Sequence, residues 1–166
     1  MKSHLSTVGK TDTWITPKYI TDSLGEFDLD PCAHTEMPWF HAKKSYTIDD
    51  DGLSKIWEGR VFLNPPFNRY VIDSWFKKFS EHGNGVMLVS AALETDRFKK
   101  YIFGKASGIL FMNHRPQFCH PDGQKAKANS GQTMCLVSFG SQNLKALIDS
   151  GLGVPFTEIQ SLNTKY

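Results

Sequence analysis

The residues best suited to do chemistry in this chain are Asn64-Pro65-Pro66-Phe67. They follow an apolar run, Arg60-Val61-Phe62-Leu63, which reads as a buried strand, and precede a stretch near 69–81 with apolar residues at helical spacing. Neither proline carries an N–H for a sheet ladder, so the strand must stop there. The chain then presents an amide side chain, a rigid pair of carbonyls and an aromatic ring at the strand's carboxyl end, the edge where α/β sheets bind ligands. That corner suits an exocyclic amine on a flat ring. Asn64 Oδ1 and the Pro65 carbonyl can each accept one amine hydrogen, while Phe67 stacks on the ring face. A proline-rich surface turn is the plainer reading of the same four residues.

Other candidates gather around this corner in the sequence. Asp28 and Asp30 end a short strand, Phe27–Asp30, and Asp30-Pro31-Cys32-Ala33 turns away from it. A carboxylate there can hold a ribose hydroxyl or an ammonium, although Asp-Pro is also an ordinary turn pair. Of Asp49-Asp50-Asp51, at least one must belong to an exposed turn, and Asp51 can accept from an adenine amino group with Leu53 packed on the ring. Trp14 and Thr16 precede a helix whose N-terminal N–H groups can face a carboxylate; a core tryptophan and an ordinary cap explain them equally well.

Net charge is only +2, but residues 113–132 carry His114, Arg115, His120, Lys125 and Lys127 against the single acid Asp122. With Pro116, Pro121, Gly123 and Gly131 this stretch reads as a mobile basic loop able to contact phosphates. Arg69, His114, Arg115, Phe118, Lys125 and Lys127 are the candidate DNA contacts, Phe118 either touching a base or pinning the loop to the core. Cys32, His34, Cys119 and His120 form two close pairs whose spacing matches no zinc pattern, so no metal is expected. Ser90 and Ser138 lack the glycine-flanked turn that exposes a nucleophile.

The elements that must position these groups alternate. A helix is expected with Thr16 as N-cap and Pro17 at its first position, stopped by Gly25. Strands are expected at 27–30, 60–63, 85–90, 108–112, 134–139 and, weakly, 154–159, with helices at 69–81, 93–103 and 143–150. Residues 31–58 read as irregular. The strands are apolar throughout, so helices must cover both sheet faces, which implies an α/β, doubly wound, largely parallel sheet. The 166 residues make one compact domain, 1–166, with 1–12 loosely held and no linker. No apolar stretch spans a membrane, the N-terminus lacks a signal-peptide core, and three cysteines without framework spacing point to the cytoplasm.

With these residues in view, the chain resembles the phage-type DNA N-6-adenine methyltransferase (Dam) family. The resemblance runs in order through Trp14-Ile15-Thr16-Pro17, Phe27-Asp28-Leu29-Asp30-Pro31-Cys32-Ala33, Asp51-Gly52-Leu53 with Trp57, Asn64-Pro65-Pro66-Phe67, and Arg115 and Phe118 followed by Ser130-Gly131. It covers roughly residues 12–140. It implies a Rossmann-like enzyme dependent on S-adenosyl-L-methionine that flips adenine out of double-stranded DNA and methylates N6, working as a monomer or homodimer. It also implies a phage or prophage gene product acting in a bacterial cytoplasm. The cofactor residues so implied are Thr16, Pro17, Asp30, Pro31, Cys32, Ala33 and Asp51, to which Trp14, Asp28, Leu53 and Asn64 are added from the reading above. The chain departs from the methyltransferase pattern after the first strand. Ala33 is followed by His34-Thr35-Glu36-Met37 in place of a glycine-rich turn, and there is no separate target-recognition domain. Cytosine-N4, RNA or protein-glutamine methylation and a non-catalytic nucleic-acid-binding role are the competing expectations.

Overall fold

The computed structural model of the chain describes residues 14–161; the stretch 1–12 expected to be loosely held lies outside them. Strands β1 (Phe27–Asp30), β2 (Ala42–Ser45), β3 (Val61–Leu63), β4 (Gly85–Ser90), β5 (Gly108–Met112), β6 (Met134–Phe139) and β7 (Gly153–Thr157) form one sheet in the order β2-β1-β3-β4-β6-β5-β7. Helices α1 (Lys18–Leu24), α2 (Ile72–His82), α3 (Asp96–Tyr101) and α4 (Ser141–Asp149) connect them.

Successive side chains of a strand point to opposite faces, and here both faces are covered. Val61, Leu63, Met87 and Val89 pack under Trp75, Phe76 and Phe79 of α2 and Phe98 of α3. Phe62, Val86, Leu88 and Leu136 pack under Ile20 and Leu24 of α1 and Leu147 of α4. This double cover is why the strands read as unbroken apolar runs.

The sheet is less parallel than those runs suggested. Strands β1 to β5 share one direction, but β6 enters between β4 and β5 and runs against both, and β7 runs against β5. An antiparallel strand buried on both faces, as all of Met134–Phe139 is, carries the same pattern as a parallel one, so its direction is not written in its residues.

Other boundaries shift for local reasons. Strand β2 falls in the stretch expected to be irregular; it is an edge strand with Lys43 and Lys44 exposed, which blunts the edge and removes the apolar signal. Helix α1 begins after Pro17 with no side-chain cap, and Thr16 is buried instead of serving as N-cap. Helix α2 starts at Ile72 because Asn68 forms a turn first: its side chain accepts from Tyr70 N–H and its carbonyl from Val71 and Ile72. Helix α3 is shorter than 93–103 because Thr95 Oγ1 and N–H both bond the Ala92 carbonyl, closing a separate turn.

Asp28 sits in a bulge. The Asp28 and Leu29 N–H groups both donate to the Arg60 carbonyl, at 2.8 and 3.2 Å. The Asp28 carboxylate accepts from Arg60 N–H at 2.8 Å and from Lys43 Nζ at 2.9 Å. Those two bonds hold its carboxyl below the usual range. Among the described residues no helix is long and apolar enough to cross a membrane.

Candidate active site

Strands β1, β3, β4 and β5 all end at one edge of the sheet, and antiparallel β6 begins there. The segments 31–41, 64–71, 91–95 and 113–133 therefore leave or return at that edge. Between β1 and β3 the connections diverge, one strand leading outward to β2 and the other inward to β4. Such a switch point opens a crevice outside the strand ends, and Asp30 and Asn64 stand on its two sides.

At the corner, Asn64 is half-buried, Pro65 buried and Phe67 51% exposed. Asn64 Nδ2 donates to the Trp14 carbonyl at 3.2 Å, which fixes the orientation of the amide. Its Oδ1 is buried with no hydrogen-bond partner among the described residues. No described residue donates to the Pro65 carbonyl either. An orphaned buried acceptor costs about 1–3 kcal/mol, so two adjacent acceptors without a described donor make this corner a candidate place for one.

On the β1 side, Asp30 is 5% exposed. Its Oδ1 accepts from Cys32 N–H at 2.9 Å, tying the turn, and its Oδ2 lies 3.0 Å from buried His41 Nε2, without hydrogen-bond alignment. Tyr46 N–H bonds the Asp30 carbonyl and Ala33 N–H the Tyr46 carbonyl, lacing the turn to the end of β2. Burial, with Asp30 nearby, pushes the Cys32 thiol up to about 12, and burial alone does the same to Cys135. Cys32 thus offers this site its backbone and bulk, not a thiolate. At pH 8 the native protein is expected to resist alkylation at both residues, while the unfolded chain labels promptly; fast labelling of native Cys32, followed by mass spectrometry, would contradict its burial.

The Asp51 turn meets the Asp30 turn through Gly52. A Cβ at Gly52 would stand 1.9 Å from the Pro31 carbonyl oxygen and 3.3 Å from the Trp75 ring, so only glycine permits the approach. Trp57 Nε1 donates to the Gly52 carbonyl at 2.8 Å and Lys78 Nζ to the Leu53 carbonyl at 2.6 Å. Neither anchor was evident from spacing, although Trp57 belongs to the resembling motif. Asp50 is committed to the turn, its carboxylate accepting from Thr47 N–H and hydroxyl. Asp51 is exposed, at φ 53°, and its carboxylate engages no described residue. Gly52→Ala is expected to cost about 3 kcal/mol in chemical denaturation and to separate the two turns. A loss within about 0.5 kcal/mol would show that they do not touch.

The basic loop has little regular structure but is tied down as an irregular hairpin by two isolated bridges. Ile15 and Cys119 exchange both backbone bonds at 2.9 Å, Ala126 N–H bonds the Phe118 carbonyl, and His120 N–H the Gln124 carbonyl. Phe118, expected as a DNA contact, is 6% exposed and packed in the core below α1, so it pins the loop. Arg115, Lys125 and Lys127 remain exposed and form no ion pair among the described residues, whereas Arg69 lies against the Tyr70 ring and hydroxyl. His114 Nε2 lies 3.3 Å from the Tyr19 hydroxyl.

Between corner and hairpin opens a cavity of about 330 Å³, walled by Trp14, Phe67, Phe118, Ala126, residues 128–132 and Met134. Trp14, grouped with the cofactor residues by sequence, lines this cavity. Asp28, grouped with them too, lines a different one of about 230 Å³ along β1 and β2, with both oxygens engaged. Among the described residues no group of three or more His, Cys, Asp or Glu could hold a metal ion.

Sheet, corner and cavity together describe an α/β protein with a candidate ligand site at the carboxyl edge of its strands. The chain matches the DNA N-6-adenine-methyltransferase (Dam) family model over residues 2–163, nearly its full length, and belongs to that family. The activity this family carries is methylation of adenine in DNA. Neither the curated proteins nor the solved structures compared gave a match.

Proposed function

We propose that this protein methylates the N6 amino group of adenine in double-stranded DNA, using S-adenosyl-L-methionine and taking the target base out of the stack. The observation that carries the reading is the buried Asn64 Oδ1 beside the Pro65 carbonyl, neither with a donor among the described residues. In adenine the N6 lone pair is delocalised into the ring and attacks poorly. Accepting both N6 hydrogens draws the nitrogen towards tetrahedral geometry and frees the pair. Positive charge then develops on N6, and the two fixed acceptor dipoles stabilise it without reorganising. No general base is needed, because the product ammonium can release its proton to water.

A base inside a duplex cannot reach such a corner, so it must flip out; exposed Phe67 offers it a stacking face. Arg115, Lys125 and Lys127 on the hairpin supply phosphate contacts. When bound, S-adenosylmethionine supplies an electrophilic methyl group. The residues that would hold it are Thr16, Pro17, Asp30 to Ala33, Asp51 and Leu53; the fit rests on the uncommitted Asp51 carboxylate, carried by a turn that Gly52 packs directly against Pro31. The Asp30–Cys32 bond does locally what a glycine-rich turn does elsewhere, shaping the chain after β1. The sheet is on this reading a Rossmann-like one in a single domain that reads DNA through its 113–132 loop, with no metal, as monomer or homodimer in a bacterial cytoplasm.

DNA from expressing cells is expected to change its digestion pattern with restriction enzymes sensitive to adenine methylation. Unchanged digestion across such enzymes, with purified protein that shows no calorimetric binding of S-adenosylmethionine, would favour a non-catalytic module instead.

A further inference from the structure

The hairpin's return segment carries two uncommitted amides at the cavity. Asn129 and Gln132 line it together with Phe67 and Trp14, both are exposed, and neither side chain bonds another described residue. Their backbone is nevertheless held in place. Ser130 N–H bonds the Pro116 carbonyl at 2.9 Å, Ser130 Oγ the Gln132 carbonyl at 2.8 Å, and Ala91 N–H the Thr133 carbonyl at 2.8 Å. The remaining lining of this wall is Ala126, Ala128, Ser130, Gly131 and Met134; of these only Ser130 carries a polar side chain, and its hydroxyl is committed to the Gln132 carbonyl. Two uncommitted amides on a braced backbone thus share a cavity with the aromatic rings of Trp14, Phe67 and Phe118, and its one other polar side chain, Ser130, is already bonded.

This is the chemistry that reads a planar heterocycle: stacking on the rings, hydrogen bonds from the amides to its edge. Residues 128–133 contain no cation, so phosphate binding falls to Arg115, Lys125 and Lys127 and leaves the amides for a base. We propose that Asn129 and Gln132 are specificity-determining residues that donate to the ring nitrogens N1 and N7 of the extruded adenine, the acceptors flanking the amino group. The inference rests on the adenine-N6 reading above. It adds that discrimination among bases comes from this wall, whereas Asn64 and Pro65 would grip any exocyclic amine.

The test is a cycle between protein and substrate. Methyl transfer by the wild type and by Asn129→Ala, Gln132→Ala and the double variant is measured on duplexes whose adenines are replaced by 7-deazaadenine or by 1-deazaadenine. A good amide–base contact is worth about 1–3 kcal/mol, so the wild type is expected to lose roughly 10-fold to 100-fold in kcat/KM on at least one analogue. The double variant is expected to lose that factor on ordinary DNA and no more on the analogue, with thermal stability unchanged. An undiminished analogue penalty in the double variant, or no penalty in the wild type, overturns the inference and leaves the methyltransferase reading standing. Wild-type protein that methylates no DNA overturns both.

Discussion

Asn64→Ala is expected to lower turnover by about 10²-fold to 10³-fold, the usual cost of removing one preplaced dipole from a charge-developing site, while S-adenosylmethionine still binds. The substitution deletes the Oδ1 acceptor, which has no partner among the described residues. It also frees the Trp14 carbonyl, now bonded to Nδ2 at 3.2 Å, so Asn64→Asp is the informative companion. Aspartate keeps an acceptor for the amine but repels that carbonyl, and it should retain more turnover than alanine. Single-turnover kinetics separate the chemical step from binding. Near wild-type single-turnover rates for Asn64→Ala would remove Asn64 from the reaction.

The second large effect falls on stability. Arg60, 8% exposed, donates from Nε to Asn143 Oδ1 at 2.6 Å, from Nη1 to the Glu26 carbonyl at 2.8 Å and from Nη2 to the Leu24 carbonyl at 2.7 Å. Its guanidinium lies 4.1 Å from the Phe27 ring centre. One side chain thus joins the end of α1, the start of β1 and helix α4. Arg60→Ala orphans three acceptors at once, and a loss of about 3–5 kcal/mol is expected, since bonds to charged donors contribute about 1.5–3 kcal/mol each. Arg60→Lys should recover little of it, because one ammonium cannot span three diverging acceptors. Denaturant midpoints measure both; an Arg60→Ala loss below about 1 kcal/mol would mean that water replaces the guanidinium.

Much of this architecture is legible in the residues themselves, for identifiable reasons. Val61–Leu63, Gly85–Ser90, Gly108–Met112 and Met134–Phe139 announce themselves because burial on two faces leaves no polar alternation. Asn64 stands out because two prolines end a strand where ligands bind. What stayed hidden depends on contacts distant in sequence. The direction of β6 is set by where a 21-residue loop delivers it, residues 113–133 lying between β5 and β6. Asp28, grouped by sequence with the cofactor residues, sits in a bulge with its carboxylate bonded to Arg60 N–H and Lys43 instead. Phe118 is a plausible base contact until the Ile15–Cys119 pairing fixes the hairpin and drives the ring inward. Gly52 looks like any turn glycine; only its approach to Pro31 shows that it joins two segments of the site.

The most direct measurement locates the transferred methyl group. Purified protein is incubated with duplex DNA and S-adenosylmethionine labelled in its methyl group, and the DNA is digested to nucleosides and resolved by chromatography and mass spectrometry. Label is expected in N6-methyl-2′-deoxyadenosine and to fall with Asn64→Ala. Label in N4-methyl-2′-deoxycytidine, or in no nucleoside at all, would contradict the assignment of Asn64 and Pro65 as a clamp for the adenine amine.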